Sequence, residues 1–234
     1  MTSHAKLSAS SSHRWILCPG SIRLSEGIEQ KTSKYAEEGT KAHDLAALIL
    51  ENKKVDLEDE DRSTLMHVME YVSYVNSIPY DIRLIEHRFD ISHIYPGMFG
   101  TSDCTIYQEK EKHLHVIDLK FGRGLYVHAD NNPQLLYYAL GAFEEIKKPI
   151  DKISMTIVQP RFNSEEKIRT HTICSVELFD WSIDLVASAK LTEIETAPLK
   201  KGSHCIFCPA KNICPEFKKT KLEEAMSEFS PLQD

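Results

Sequence analysis

Gly100-Thr101-Ser102-Asp103, followed after an apolar-rich stretch by His115-Val116-Ile117-Asp118-Leu119-Lys120, is the part of the chain whose reading decides the fold. Val116, Ile117 and Leu119 suit a buried strand, and a period of two puts Asp118 and Lys120 on one face. The connection between the two segments is long enough for a hairpin that brings Asp103 and Asp118 together at the sheet edge. Two carboxylates beside an ammonium make a site for a hard cation next to a positive group. Phosphodiester hydrolysis uses that chemistry: a cation polarises the phosphate and activates water, while a positive charge faces the developing anion. Taken alone, the same residues also describe a solvated hairpin carrying ordinary acids and a surface lysine.

On either side of this segment the pattern alternates between periods. Ile82–Phe89, Met98–Tyr107 and His113–Lys120 read as three successive strands, closed by a Phe121-Gly122-Arg123-Gly124 turn. Upstream, residues 8–17 read as a short helix with serine capping candidates, ending at Cys18-Pro19-Gly20. Lys34–Asn52 is a helix with Ala42, Leu45, Ala46 and Ile49 on one stripe, and Arg62–Asn76 is a second with Leu65, Val68, Met69 and Val72 inward. Downstream, Asp130–Lys147 is helical, with Pro133 tolerated in its first turn. Lys152–Gln159 and Arg169–Cys174 are two more strands joined by the polar loop Arg161–Lys167. Val176–Thr196 is a long helix and Ala197–Pro215 a cysteine loop. This order predicts an α/β architecture: a central mixed, mostly antiparallel sheet flanked by helices. No glycine-rich phosphate loop follows a strand, which argues against a nucleotide-hydrolysing motor.

The chain has 234 residues, 41% hydrophobic and 27% charged, with a formal net charge of −7. Its length fits one large domain. We expect residues 1–217 to form that domain, with a core over about 34–198, a cysteine module made by 8–20 and 198–217, and a polar tail over 218–234. The negative charge, concentrated in Glu51–Asp61 and toward the C-terminus, argues against a protein that coats nucleic acid through a broad basic surface; it allows an enzyme that neutralises phosphate locally. No apolar run approaches the roughly 18 residues of a membrane span and the N-terminal stretch lacks a signal-peptide core, so the expected location is the cytoplasm, without a membrane partner.

Six cysteines in such a chain point to metal or redox chemistry before disulfides. Cys104 and Cys174 fall in strand-like segments and read as small packed residues. Cys205, Cys208 and Cys214 form a C-x2-C-x5-C pattern, and Cys18 stands alone near the other end. Cys18, Cys208 and Cys214 are each followed by proline, which fixes a turn around a ligand loop.

Four motifs together resemble the PD-(D/E)XK nuclease superfamily, specifically its branch of RecB-type exonuclease domains and CRISPR-associated iron–sulfur nucleases, and within it a small phage- or prophage-type group. They are Glu38-Gly39-Thr40-Lys41-Ala42-His43, Gly100-Thr101-Ser102-Asp103, Asp118-Leu119-Lys120 and Gln134-Leu135-Leu136-Tyr137-Tyr138. The resemblance covers about Ser8 to Cys214. It implies a restriction-endonuclease-like core and a metal-dependent DNA exonuclease. His43, Asp103, Asp118 and the Leu119 carbonyl would hold one or two Mg²⁺ or Mn²⁺ ions, with Lys120 stabilising charge and Gln134 and Tyr138 serving the active-site helix. Glu86 is a candidate supporting or additional acid, and Arg123 in its glycine turn reads either as a phosphate contact or, more commonly for such a position, as an ordinary exposed turn arginine. The resemblance also implies a [4Fe–4S] cluster on Cys18, Cys205, Cys208 and Cys214, acting as a staple between the chain ends. Zn²⁺ at the same thiolates, with His204 as a possible substitute ligand, is the alternative. The implied role is end resection of single- or double-stranded DNA in phage-type recombination, beside a single-strand annealing protein. The competing reading is a catalytically inactive nuclease-fold module that binds DNA or protein and is stabilised by the metal.

Overall fold

The computed structural model describes residues 5–28, 33–55, 61–163 and 166–219. A 3₁₀ turn at Ala9–Ser11 leads into α1 (Ser12–Leu17), α2 (Gly20–Leu24), α3 (Lys34–Leu50) and α4 (Arg62–Asn76). Then come β1 (Ile82–Asp90), β2 (Phe99–Gln108), β3 (His113–Leu119), α5 (Pro133–Ile146), β4 (Lys152–Val158), β5 (Ile168–Cys174) and α6 (Ser175–Leu191). A second 3₁₀ turn, Ser203–Phe207, lies in the cysteine loop. From residue 220 onward the expected polar tail lies outside the described residues, as do 56–60 of the acidic loop and 164–165 of the loop after β4.

The sheet runs β1-β2-β3-β4-β5, with β3 and β4 parallel and every other pair antiparallel. The parallel pair follows from α5, which crosses one face and returns the chain beside β3 in the same direction. β3 is therefore the central strand. Asp118 stands at the end of β3 and Asp103 in the middle of β2, beside the point where β2 and β3 part; neither strand is a lateral edge of the sheet, which corrects the expected placement. A mixed α/β architecture with a mostly antiparallel sheet agrees with the sequence expectation.

Two apolar layers cover the sheet. On one face Leu114, Val116, Met155 and Ile157 pack against Leu135 and Ala139 of α5, Leu178 and Leu185 of α6, and Trp15 of α1. On the other, Cys104, Ile106, Ile117 and Leu119 pack against Ala42, Leu45 and Ala46 of α3 and Val68, Tyr71 and Val72 of α4. Helix starts are set by capping side chains. Ser33 accepts from the Ala36 N–H at 3.2 Å, Asp61 from Thr64 at 3.0 Å, and Asn132 from Gln134 at 3.0 Å ahead of Pro133.

The differences from the sequence reading have local causes. The first helix is split into a 3₁₀ turn and α1, and α2 follows where a loop was expected. The helix expected from Asp130 begins at Pro133, because Asn132 takes the cap. α6 ends at Leu191, several residues early. Met69 is exposed: the inward face of α4 is Val68, Tyr71, Val72 and Val75, one turn-phase away. Cys104 is buried as expected, but Cys174 is exposed, because it falls on the open face of edge strand β5.

Candidate functional site

β1 and β2 pair regularly on both sides of one gap: Ile85 faces Cys104 and His87 faces Ser102, with Glu86 and Asp103 between them unpaired in the ladder. Glu86 sits there at φ 45, a left-handed conformation uncommon for a long side chain. The inward phase of both strands changes across this point. Ile85 and Cys104 pack with α3 and α4, whereas Phe89 belongs to the opposite layer and Gly100 lies against Tyr138. At the same place β2 leaves β3, whose pairing begins at Cys104–Ile117, while β3 stays with β4 through Leu119–Val158. Asp103 and Asp118 stand at the mouth of that separation. Irregular pairing of this kind re-aims side chains and is frequent near active sites.

Three side chains converge on the α3 side. His43 Nδ1 is 3.2 Å from Asp103 Oδ1 and 3.8 Å from Glu86 Oε1. One ligand atom from each of His43, Glu86 and Asp103 lies within 4.8 Å of the others, a spacing that can hold a metal ion. Leu119 donates its N–H to Asp103 Oδ2 at 2.7 Å and lines the same small pocket with His43, Glu86 and Tyr71. In an extended strand a residue's carbonyl points to the same side as its N–H, so the Leu119 oxygen faces this pocket too. Burial works against a charged His43 ring, but the Asp103 carboxylate, with Glu86 behind it, outweighs that and pushes its pKa up to about 10. A cation entering the pocket therefore competes with a proton.

The second half of the site faces α5. Asp118 is 1% exposed, and Lys120 Nζ lies 2.9 Å from its Oδ2. Gln134 donates Nε2 to Asp118 Oδ1 at 3.0 Å and accepts from Lys120 Nζ at 2.8 Å. The same Nε2 donates to the Tyr138 hydroxyl at 3.0 Å, one helical turn on. Burial raises the Asp118 carboxyl, which Lys120 only partly offsets. Burial disfavours the Lys120 ammonium, but Asp118 and Asp103 prevail and hold its pKa above the ordinary lysine value.

Asp103, Asp118, Lys120, Gln134, Tyr138, His43 and Leu119 thus meet at one end of the sheet. The geometry divides them: His43 and Asp103 belong to the cation-spaced group, with Leu119 lining its pocket, while Asp118 Oδ1 accepts from Gln134 and its buried Oδ2 is ion-paired with Lys120 without a hydrogen-bond partner among the described residues. Glu86 joins the first half more closely than its sequence suggested; its signal was its antiparallel register with Asp103. Tyr71, not singled out beforehand, lines the pocket with its buried hydroxyl unpartnered among the described residues, and burial holds its pKa well above the usual tyrosine range. Its signal was its inward phase on α4.

The cysteine segments meet on the far side of α1. Gly20 donates its N–H to Pro198 O at 3.1 Å, and a Cβ on Gly20 would come within 2.5 Å of Ala197 O, so the two ends of the chain pack without room for a side chain. The Lys200 N–H points at Cys18 Sγ, 3.3 Å away. Burial raises the Cys18 thiol, and Cys208 and Cys214 are near enough for their charges to add to that shift. Cys205 is buried in the 3₁₀ turn. The cysteines offer soft donors, one of them with an amide N–H aimed at its sulfur, but among the described residues no cysteine belongs to a group at metal-ligand spacing. His204 spends Nε2 on Lys200 O at 2.9 Å, leaving Nδ1 buried and unpartnered among the described residues.

Among solved structures, the chain is similar to one from Eubacterium rectale described as "Putative exonuclease", at 8% identity and a TM-score of 0.49, over 97% of this chain and 89% of that one. Residues 4–234 match the model of the family described as "Protein of unknown function (DUF2800)", and the chain belongs to that family.

Proposed function

We propose that this protein is a divalent-metal-dependent DNA nuclease, exonucleolytic in mode. The observation that carries this reading is the pairing of two half-sites at one strand end: His43, Glu86 and Asp103 at cation spacing, beside the Asp118–Lys120–Gln134 network. A divalent cation held by His43, Glu86, Asp103 and the Leu119 carbonyl would neutralise phosphate charge and make water a better nucleophile. Lys120 remains an ammonium, so it stabilises negative charge on the phosphate and does not serve as a base. Gln134 fixes the orientation of both Asp118 and Lys120 through one amide, and Tyr138 fixes Gln134. Asp118 holds Lys120 in place and supplies negative charge at the buried end of the site.

The same reading assigns Cys18, Cys205, Cys208 and Cys214 to a structural [4Fe–4S] cluster, supported by the Lys200 N–H at the Cys18 sulfur and by the close packing of Gly20 on Ala197. Recombination-linked end resection beside a single-strand annealing protein is the role the motif resemblance implies. The test is degradation of end-labelled linear and circular DNA by anaerobically purified protein with Mg²⁺ or Mn²⁺. Metal-dependent loss of linear DNA, abolished in Asp118→Asn and Lys120→Ala, is the expected result. Cutting of circles would replace the exonucleolytic mode with an endonucleolytic one. Intact DNA with every metal would overturn the reading.

A further inference from the structure

The segment that follows Lys120 is fixed from beneath by two buried polar side chains while its outer surface stays open. Gln159 is 1% exposed and donates Nε2 to Gly122 O at 3.0 Å and to Leu125 O at 2.7 Å; its Oε1 accepts from the Val127 N–H at 3.3 Å. Arg169 is buried too. It donates Nη2 to the same Gln159 oxygen at 2.7 Å, Nε to Val127 O at 2.9 Å and Nη1 to Glu166 O at 2.7 Å. Its guanidinium lies 4.3 Å from the centre of the Tyr126 ring, and Arg161 lies 4.5 Å from that of Phe121. Both ends of the segment are therefore held by stacked arginines and its middle by hydrogen bonds to backbone.

Residues 122–126 nevertheless all face solvent. Nothing stands within 4 Å of where a Cβ on Gly122 or Gly124 would be, so Arg123 projects from an uncrowded ridge. Arg123 makes no side-chain hydrogen bond or ion pair among the described residues. Desolvating an arginine and a glutamine to immobilise an exposed loop is costly unless their polar atoms are paired; here each nitrogen of Arg169 and both amide atoms of Gln159 have a partner. Such an investment in a surface loop fits preorganisation for a ligand better than stability, because the loop itself buries little. The ridge begins directly after the lysine that faces the phosphate, on a chain whose net charge of −7 gives a polyanion no general attraction.

We infer that the 122–126 ridge is a nucleic-acid contact in which Arg123 binds a backbone phosphate next to the one cleaved, with Gln159 and Arg169 as positioning residues. This rests on the nuclease reading above. One phosphate contact contributes one counterion-release increment to the salt dependence of binding, and it acts on ground state and transition state alike.

The experiment measures binding of full-length, anaerobically prepared protein to a short labelled oligodeoxynucleotide, single-stranded and duplex, in EDTA over a range of KCl concentrations. Cleavage of the same DNA is followed with Mg²⁺ or Mn²⁺. For Arg123→Ala the expected results are a salt slope shallower by about 0.7 on single strands or about 0.9 on duplex. With them go a KM raised about tenfold and a kcat within about twofold of wild type. Arg123→Lys retains the wild-type slope, because it keeps the charge. Gln159→Leu, which releases the ridge without removing charge, raises KM with kcat retained and leaves the slope unchanged. If Arg123→Ala binds with the wild-type affinity and slope while wild type cleaves, the ridge inference fails and the nuclease reading stands. A collapse of kcat at unchanged KM would place Arg123 in the reaction itself and also overturn it. Wild type that neither binds nor cuts DNA would sink both.

Discussion

The Gln134 side chain donates to Asp118 through its nitrogen at 3.0 Å and accepts from Lys120 through its oxygen at 2.8 Å, so one amide sets the geometry of both charged groups. Gln134→Ala leaves two buried hydrogen-bonding groups without this partner. We expect kcat to fall about 10- to 100-fold, in the range of changes to residues that orient a metal site's ligands, with little change in Mn²⁺ affinity measured by titration calorimetry. Gln134→Glu sets a second carboxylate against Asp118 and is expected to be worse than alanine. Equal loss of Mn²⁺ affinity and kcat in the alanine variant would contradict this separation of roles.

Glu86 combines a left-handed backbone with a carboxylate at the cation pocket. Glycine relieves a backbone strain of order 1–3 kcal/mol but loosens the unfolded chain. Glu86→Gly is therefore expected to keep a melting temperature near wild type while lowering Mn²⁺ affinity at least about tenfold, on the scale of a lost charged ligand. Glu86→Gln keeps the strain and loses the charge, so it should weaken metal binding without any gain in stability. A variant with intact Mn²⁺ affinity would remove Glu86 from the ligand set.

A Cβ on Gly100 would lie 2.8 Å from Ala9 Cβ and 3.0 Å from Tyr138 Cε1. Gly100→Ala must displace the Tyr138 ring, and with it the hydroxyl that accepts from Gln134. Overpacking of this kind costs about 1–3 kcal/mol, and the expected signature is a lower denaturation midpoint together with reduced kcat. Tyr138→Phe, which removes only the hydroxyl, should lower kcat with a smaller stability loss; unchanged kcat in both variants would show that Tyr138 does not act through Gln134.

Cys18 joins the first helices to the C-terminal cysteine loop through space. Anaerobically prepared protein is expected to be brown from thiolate-bound iron, and Cys18→Ser to lose both the colour and thermal stability. Colourless wild-type protein with stoichiometric zinc would replace the cluster by a zinc site and leave the nuclease reading untouched.

His115 is held in the neutral form: burial pushes its pKa down to about 4, helped by His113 beside it and Lys152 on β4, while its Nε2 pairs with Gln108 Oε1 at 3.0 Å. His113 is shifted the same way by burial and Lys152. An unfolded chain takes up these protons near pH 6.5, before the folded chain does. The contribution of these two histidines to stability is therefore full above about pH 6.5 and is lost as pH falls toward about 4. His115→Asn should move the acid-unfolding midpoint, followed by circular dichroism, to lower pH. A midpoint that stays put would show that other groups govern acid unfolding.

The strands and helices were legible because their apolar spacing is regular, and Asp103, Asp118, Lys120, Gln134 and His43 stood out through ordered short motifs. Errors fell where spacing is silent. Met69 lies beside the inward stripe of α4 and was read as part of it, and Cys174 sits in a strand whose open face depends on being last in the sheet. Gln159 and Arg169 belong to no motif, although Arg169 occupies the same phase as buried Ile173, and a lone arginine at an inward position is a signal of a buried anchor.

The sequence by itself determined which elements form and which chemical groups are carried near the ends of strands, since periodicity, caps and turn residues are local properties. Only the tertiary structure decided how those groups divide. It placed Glu86 opposite Asp103 at the gap in the ladder, put Asp118 at the end of β3 where β2 leaves it, set Asp118 against Gln134 and Lys120, and hung the loop after Lys120 on Gln159 and Arg169. Each of these depends on register and on contacts between residues far apart in the chain, and strand pairing, which fixes both, is a long-range choice that no local pattern specifies.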